Sequence, residues 1–274
     1  MQPAKSYTPA IRGNLLIIVL TGFLQTTALA ADLAREQRVS DQISDAIFDG
    51  ETIFLEVDQT RFLTIFTRTE RHEPRGAALI LHGRDANPDW LDIVHPLRIH
   101  LPEYGWDTLS IQLPLAPEGA SDAEWWATIP EALPRLEAAI RFLEQKGIGN
   151  IVMISHSFGN HAAARYLGER APHGIRAWVG VGMPIESRQY HNGTLSILGQ
   201  LQLPILDLYG ENDLATVATT AGKRRLAARD AGNRKFEQRE IFGADHFFSG
   251  QDDLLVNIVK SWLAKTAGDP LTAD

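Results

Sequence analysis

Short apolar runs recur along this chain, and stretches of helical character fill the gaps between them. Residues 76–81 (GAALIL), 106–113, 151–154 (IVMI), 175–181 and 203–209 have the length and composition of strands buried in a sheet, and 235–242 is a more polar strand. Segments 90–101, 133–146, 159–170, 218–231 and 254–265 carry helical spacing or composition instead. Ahead of this series, 51–57 and 61–69 partly alternate polar and apolar residues and predict a hairpin over an Asp58-Gln59 turn. Residues 31–48 are weakly helical and polar, which predicts a surface segment. Ser121 and Glu124 have capping-box spacing and predict a short helix containing Trp125 and Trp126. Pro130 and Pro134 punctuate the approach to the separate long helix over 133–146, stopped by Gly147. Residues 183–200 read as an irregular excursion. Strands alternating with helices after a hairpin predict an α/β fold, with a mostly parallel sheet covered on both faces. Ligands of such sheets bind beyond the carboxyl ends of the strands.

The first thirty residues do not fit this rhythm. Lys5 and Arg12 form a basic leader, residues 15–24 an apolar core of ten, and Ala28-Leu29-Ala30 a small-residue cleavage site. Together they predict a secretory signal peptide cut between Ala30 and Ala31. The apolar core is well short of the ~18 residues of a membrane span. The expected mature chain is a single domain over 31–274, periplasmic or secreted. Cysteine is absent, which suits an exported protein without disulfides and excludes thiolate catalysis. The 34 acidic residues outnumber 26 basic ones, two of them in the leader, so the net charge is −8 overall and −10 without the leader. That balance argues against nucleic acid or anionic lipid as the main partner.

Candidate chemistry centres on Ser155-His156-Ser157-Phe158-Gly159, where a buried strand turns within a few residues into a helix. The pattern is that of a nucleophile elbow, G-x-S-x-G, which lifts its central serine above the sheet edge. Ser155 replaces the first glycine; the position needs a small side chain, so glycine is expected to be tolerated there. A serine needs a base, and the base needs an orienting group. Gly210-Glu211-Asn212-Asp213 follows one strand and offers a carboxylate; Gly243-Ala244-Asp245-His246 follows the last and offers an imidazole. Histidine suits the task because its ordinary pKa of ~6.5 makes both protonation states accessible. Ser157, Asp213 and His246 thus stand in the order Ser…Asp…His. Asp207, Glu211 and Asp245 are the alternative acids; Asp213 is preferred because it lies in the loop after its strand.

These motifs resemble the α/β-hydrolase superfamily from about residue 76 onward. Leu81-His82-Gly83-Arg84, Pro88-Asp89-Trp90 and the stretch 105–114 (GWDTLSIQLP) resemble more narrowly its exported bacterial branch DUF3530. The resemblance implies an α/β-hydrolase fold and a serine-hydrolase machinery, but no substrate. It also implies an oxyanion hole made of the backbone N–H groups of Phe158 and Arg84; the Arg84 side chain itself, as an exposed arginine, is expected to be simply solvated.

His156 and His161 flank the elbow but lack metal-ligand spacing and a completing acid or thiol, so packing or hydrogen bonding is expected of them, and no metal or cofactor. Trp125 and Trp126 are expected in the core, with cleft lining as the alternative. The function these readings favour is hydrolysis of a carboxylic ester or related small acyl substrate. Two alternatives share the scaffold: a non-catalytic binding protein of the cell envelope, and a peptidase using the same trio.

Overall fold

The strand β5 (Ile151–His156) is buried along its whole length, at the centre of an eight-stranded sheet. The computed structural model describes residues 1–2, 30–170, 174–185 and 193–268. The expected leader falls almost wholly outside these described residues, as does the middle of the 183–200 excursion.

The sheet opens with the hairpin β1 (Glu51–Val57) and β2 (Thr60–Thr67), turned at Asp58 and Gln59, both at positive φ. β3 (Gly76–Leu81), β4 (Trp106–Ile111), β5, β6 (Ile175–Val181), β7 (Ile205–Asn212) and β8 (Phe236–Asp245) complete it in the order β1-β2-β4-β3-β5-β6-β7-β8. β1–β2 and β2–β4 pair antiparallel, and every pair from β4–β3 to β7–β8 is parallel. The predicted mostly parallel sheet with an initial hairpin is therefore present. β3, β4 and β5 are wholly buried; the unbroken apolar runs GAALIL of β3 and IVMI of β5 suit strands covered on both faces, and β4 buries Asp107, Thr108 and Ser110 as well.

Helices cover both faces. On one side lie α3 (Asp122–Gln145), α4 (Gly159–Glu169) and the short α5 (Thr194–Leu198), which bury Leu136, Ala163 and Ile197 against Leu79 and Met153. On the other lie α2 (Val94–His100) and α8 (Asp252–Thr266), with Leu97, Val259 and Leu263 against Ile80 and Ile154. α6 (Ala215–Ala218) and α7 (Ala221–Asp230) follow β7, where the pattern predicts one helix over 218–231. No helix among the described residues is long and apolar enough to cross a membrane.

Two local expectations are corrected. The short Trp125 helix and the long 133–146 helix are one 24-residue helix, α3, running through Pro130 and Pro134. Each proline removes a helical N–H and costs up to ~3 kcal/mol in isolation. Burial of Trp125, Ile129, Leu133, Leu136, Ile140 and Leu143 on one side offsets that loss. The segment 31–48 forms α1 (Leu33–Ala46), and it is not simply a surface helix: it buries Glu36, whose carboxylate pairs with the buried Arg135 of α3 at 2.8 Å and accepts the Leu115 N–H.

Candidate active site

β5 ends at His156, and Ser157 then takes φ +51°, a left-handed conformation rare for a residue with a Cβ. Such a residue costs on the order of 1–3 kcal/mol and persists only where its surroundings hold it. Asn160 does much of that holding. Its side-chain amide donates to the carbonyls of Ser157 (3.0 Å) and Val181 (2.9 Å), while its oxygen accepts from the Ser155 hydroxyl (2.8 Å). That hydroxyl in turn accepts the Trp178 indole N–H at 2.8 Å. Ser155 is therefore more than a small residue standing in for glycine, because glycine would strand a buried indole donor and an amide acceptor. Gly159 serves close approach: a Cβ there would lie 2.5 Å from the His82 carbonyl oxygen, so only glycine lets α4 start against the end of β3.

The loops after β5, β7 and β8 converge at the carboxyl end of the sheet. The His246 Nδ1 lies 2.5 Å from Asp213 Oδ1, and its Nε2 lies 2.8 Å from Ser157 Oγ. The first contact assigns the proton to Nδ1, leaving Nε2 free to accept from the hydroxyl. The Asp213 side chain is wholly buried and also accepts the Leu214 N–H (2.7 Å) and the Gly210 N–H (3.3 Å). Gly182, beyond β6, makes room for the imidazole: at its φ of +55° a Cβ would lie 2.8 Å from His246 Cε1 and 2.9 Å from Nδ1.

The alternative acids are occupied elsewhere. Asp207 is fully buried inside β7, where its Oδ2 accepts from Arg224 Nε and Gln238 Nε2, both at 2.7 Å. Burial pushes its carboxyl above the usual range, with Arg224 opposing that rise. Glu211 accepts the Gly243 N–H from an exposed position, and Asp245 accepts the N–H groups of Phe247 and Ser249 in the turn beyond β8.

Arg84 and Phe158 lie in the loops after β3 and β5. Among the described residues neither backbone N–H has an acceptor in the protein. The Arg84 side chain, expected to be merely solvated, is tied down: Nη1 meets Asp122 Oδ1 at 2.7 Å and Nη2 donates to the Ala120 carbonyl at 2.9 Å. The solvation expectation overlooked the start of α3, which arrives from 38 residues away. Trp125 is buried and Trp126 half-buried, and both lie edge-on to the Phe158 ring.

Two further histidines surround the trio without joining it. His82 donates from Nδ1 to the Gly83 carbonyl (2.8 Å), and its Nε2 accepts the Leu113 N–H (3.0 Å). His156 lies against the His246 ring at 4.8 Å and donates from Nε2 to the His246 carbonyl at 3.1 Å. Burial lowers the pKa of His82 to about 4 and of His156 to about 3, so both rings are neutral at ordinary pH. His161 instead bonds Thr194 Oγ1 at 2.8 Å. Among the described residues no group of three His, Cys, Asp or Glu is placed to hold a metal ion. Asn160 and Gly182 are the contributors that sequence reasoning missed; a polar residue one step past the elbow glycine and a glycine just after a strand were the only signals.

The family model described as "Protein of unknown function (DUF3530)" matches residues 21–134 and 131–265. The chain belongs to the DUF3530 family. Solved structures similar to this DUF3530 protein share its α/β-hydrolase fold. An α/β serine hydrolase homologue from Coxiella burnetii is 19% identical with a TM-score of 0.59, over 78% of this chain and 99% of that one. The esterase Pf2001 from Pyrococcus furiosus is 14% identical with a TM-score of 0.65, over 82% and 96%. Est1E from Butyrivibrio proteoclasticus is 12% identical with a TM-score of 0.63, over 81% and 100%. No curated protein matches the DUF3530 chain.

Proposed function

We propose that this protein is an exported serine hydrolase of a carboxylic ester or related acyl compound, with Ser157 as nucleophile, His246 as base and Asp213 as orienting acid. The observation that carries the reading is the unbroken run Asp213–His246–Ser157 at 2.5 and 2.8 Å. The hydroxyl proton passes to His246 Nε2 as Ser157 Oγ bonds to the acyl carbon. The carbonyl electron pair moves onto oxygen, where the N–H groups of Phe158 and Arg84 stabilise it. Collapse restores the carbonyl and expels the leaving alcohol, which takes the proton back from His246. Water then repeats the cycle on the acyl-enzyme and releases the acid. Asp213 keeps the Nδ1–H tautomer and balances the imidazolium that forms at each attack. The esterase and serine-hydrolase names of the similar structures support the same class.

One experiment tests both reaction and export. Cells expressing the full chain are treated with a fluorophosphonate probe, and the labelled protein is recovered from the exported fraction. Label on Ser157 in a chain beginning within two residues of Ala31 is expected, lost in Ser157→Ala. Turnover of a short-chain p-nitrophenyl ester should fall nearly as far in His246→Ala as in Ser157→Ala, and less in Asp213→Asn, because the three act as a unit. Label that survives Ser157→Ala refutes the nucleophile. A full-length chain retained with the membrane refutes export.

A further inference from the structure

The two N–H groups proposed to hold the oxyanion belong to separate loops. Arg84 follows β3 and Phe158 follows β5, and the ladder between these strands ends at Leu81 and Ser155. Beyond that pair no hydrogen bond joins the two loops among the described residues. An oxyanion hole works only when both donors lie ~2.7–3.1 Å from one point, so something other than the sheet must fix their separation.

Their side chains meet on one residue. The Arg84 guanidinium carbon lies 5.3 Å from the centre of the Trp125 ring. The Phe158 ring meets the same indole at 5.3 Å and 72°, an edge-to-face contact. Trp125 is 2% exposed and packs with Leu115 and Ala116, so the slab itself has little freedom. The first turn of α3 reinforces it. Asp122 and the Ala120 carbonyl also hold the guanidinium, and the reciprocal Ser121–Glu124 capping box fixes that turn. Arg35 of α1 holds the next residue of the loop, Asp85, at 2.8 Å, where φ is +58°.

We infer that Trp125 is a positioning residue for the oxyanion hole: it is wedged between the side chains of both donor residues and sets the distance between their N–H groups. The inference rests on the proposed acyl transfer at Ser157. It distinguishes Trp125 from a plain core residue and from a wall of the substrate cleft, because each role moves a different quantity. A spacer acts on stabilisation of the oxyanion, hence on kcat. A cleft wall acts on KM, and a core residue on melting temperature alone.

The test uses the mature protein and the variants Trp125→Leu, Trp125→Phe, Arg84→Ala and the double variant Trp125→Leu/Arg84→Ala. Arg84→Ala keeps the backbone N–H and removes only the side-chain grip. Each is assayed on a p-nitrophenyl ester and on its thionoester, whose C=S accepts hydrogen bonds poorly, with thermal melts in parallel. Trp125→Leu should lower kcat on the oxoester ~10–100-fold, the scale of a misplaced or lost donor, with KM within ~3-fold. The oxoester/thionoester ratio should fall with it. Trp125→Phe should restore most of the loss, and Arg84→Ala should lower the ratio alone while adding little to Trp125→Leu. A raised KM with intact kcat, equal losses on both esters, or fully additive losses would overturn the inference. If Trp125→Leu does not fold, Trp125→Phe and Arg84→Ala decide, and an unchanged ratio in both overturns it. A wild-type protein inert to both esters and to the probe removes the proposed function and this inference together; an active wild type with unchanged ratios removes the inference alone.

Discussion

At the scale of single residues, the site depends on side chains that are absent as much as on those present. Gly182 contributes nothing to hydrogen bonding through a side chain, yet the space beside its Cα is where the His246 ring sits. Gly182→Ala would place a methyl group 2.8–2.9 Å from two ring atoms and put a Cβ on backbone at φ +55°. The imidazole must then shift, and a displacement of about 1 Å at a reacting group costs roughly 100-fold in rate. On the proposed mechanism, kcat on a p-nitrophenyl ester should fall about that far, with the fold retained by circular dichroism; an unchanged kcat would count against the role proposed for His246. That Ser157, Asp213 and His246 meet was legible in the sequence, because each follows a strand and so falls at the same end of the sheet. Gly182 and Asn160 were not. Their roles depend on what stands across the sheet edge, and no local pattern records that His246 arrives beside one or that the Val181 carbonyl faces the other. Ser155 was half legible: its size was read, its two hydrogen-bond partners were not.

At the scale of elements, the strands were the readable part and the helices the less readable one. Buried parallel strands announce themselves as continuous apolar runs, and GAALIL and IVMI fall inside β3 and β5. The sequence of α3 reads as two pieces because its prolines are local breakers, while the packing that overrides them is tertiary. The sequence of α1 reads as a surface segment because its buried contact is ionic. Glu36 and Arg135 meet with side chains 5% and 4% exposed, and Arg135 also donates to the Gln112 carbonyl at 3.1 Å. Removing one member of a buried pair leaves an uncompensated charge, at a cost of about 3–5 kcal/mol. Glu36→Ala is expected to lower the urea-unfolding free energy by that amount. The double variant Glu36→Leu/Arg135→Met, which removes both charges, should recover most of it. A double variant as unstable as the single one would mean that the loss comes from the stranded Leu115 N–H rather than from an uncompensated charge.

At the scale of the whole molecule, buried neutral histidines make stability depend on acidity. His82 and His156 have pKa values of about 4 and about 3 in the folded chain, against ~6.5 when exposed. As pH falls below ~6.5 the unfolded chain takes up protons that the folded chain refuses, so folded stability declines from there towards pH 4 and below. Glu36 and Asp207, whose carboxyls burial pushes up, act in the opposite direction, since acid favours their folded forms. Comparison with His156→Phe separates the contributions: its melting temperature should drop less between pH 7 and pH 5 than that of the wild type. Parallel losses in both proteins would show that His156 does not titrate on unfolding. The edge position of β8 bears also on timing. On the proposed mechanism, the ribosome makes the nucleophile 89 residues before its base, and that base follows β8, the last strand in the chain and an edge of the sheet. A chain still being synthesised then carries a serine with nothing to activate it. On that mechanism it stays chemically silent towards the acyl compounds around it until β8 has docked.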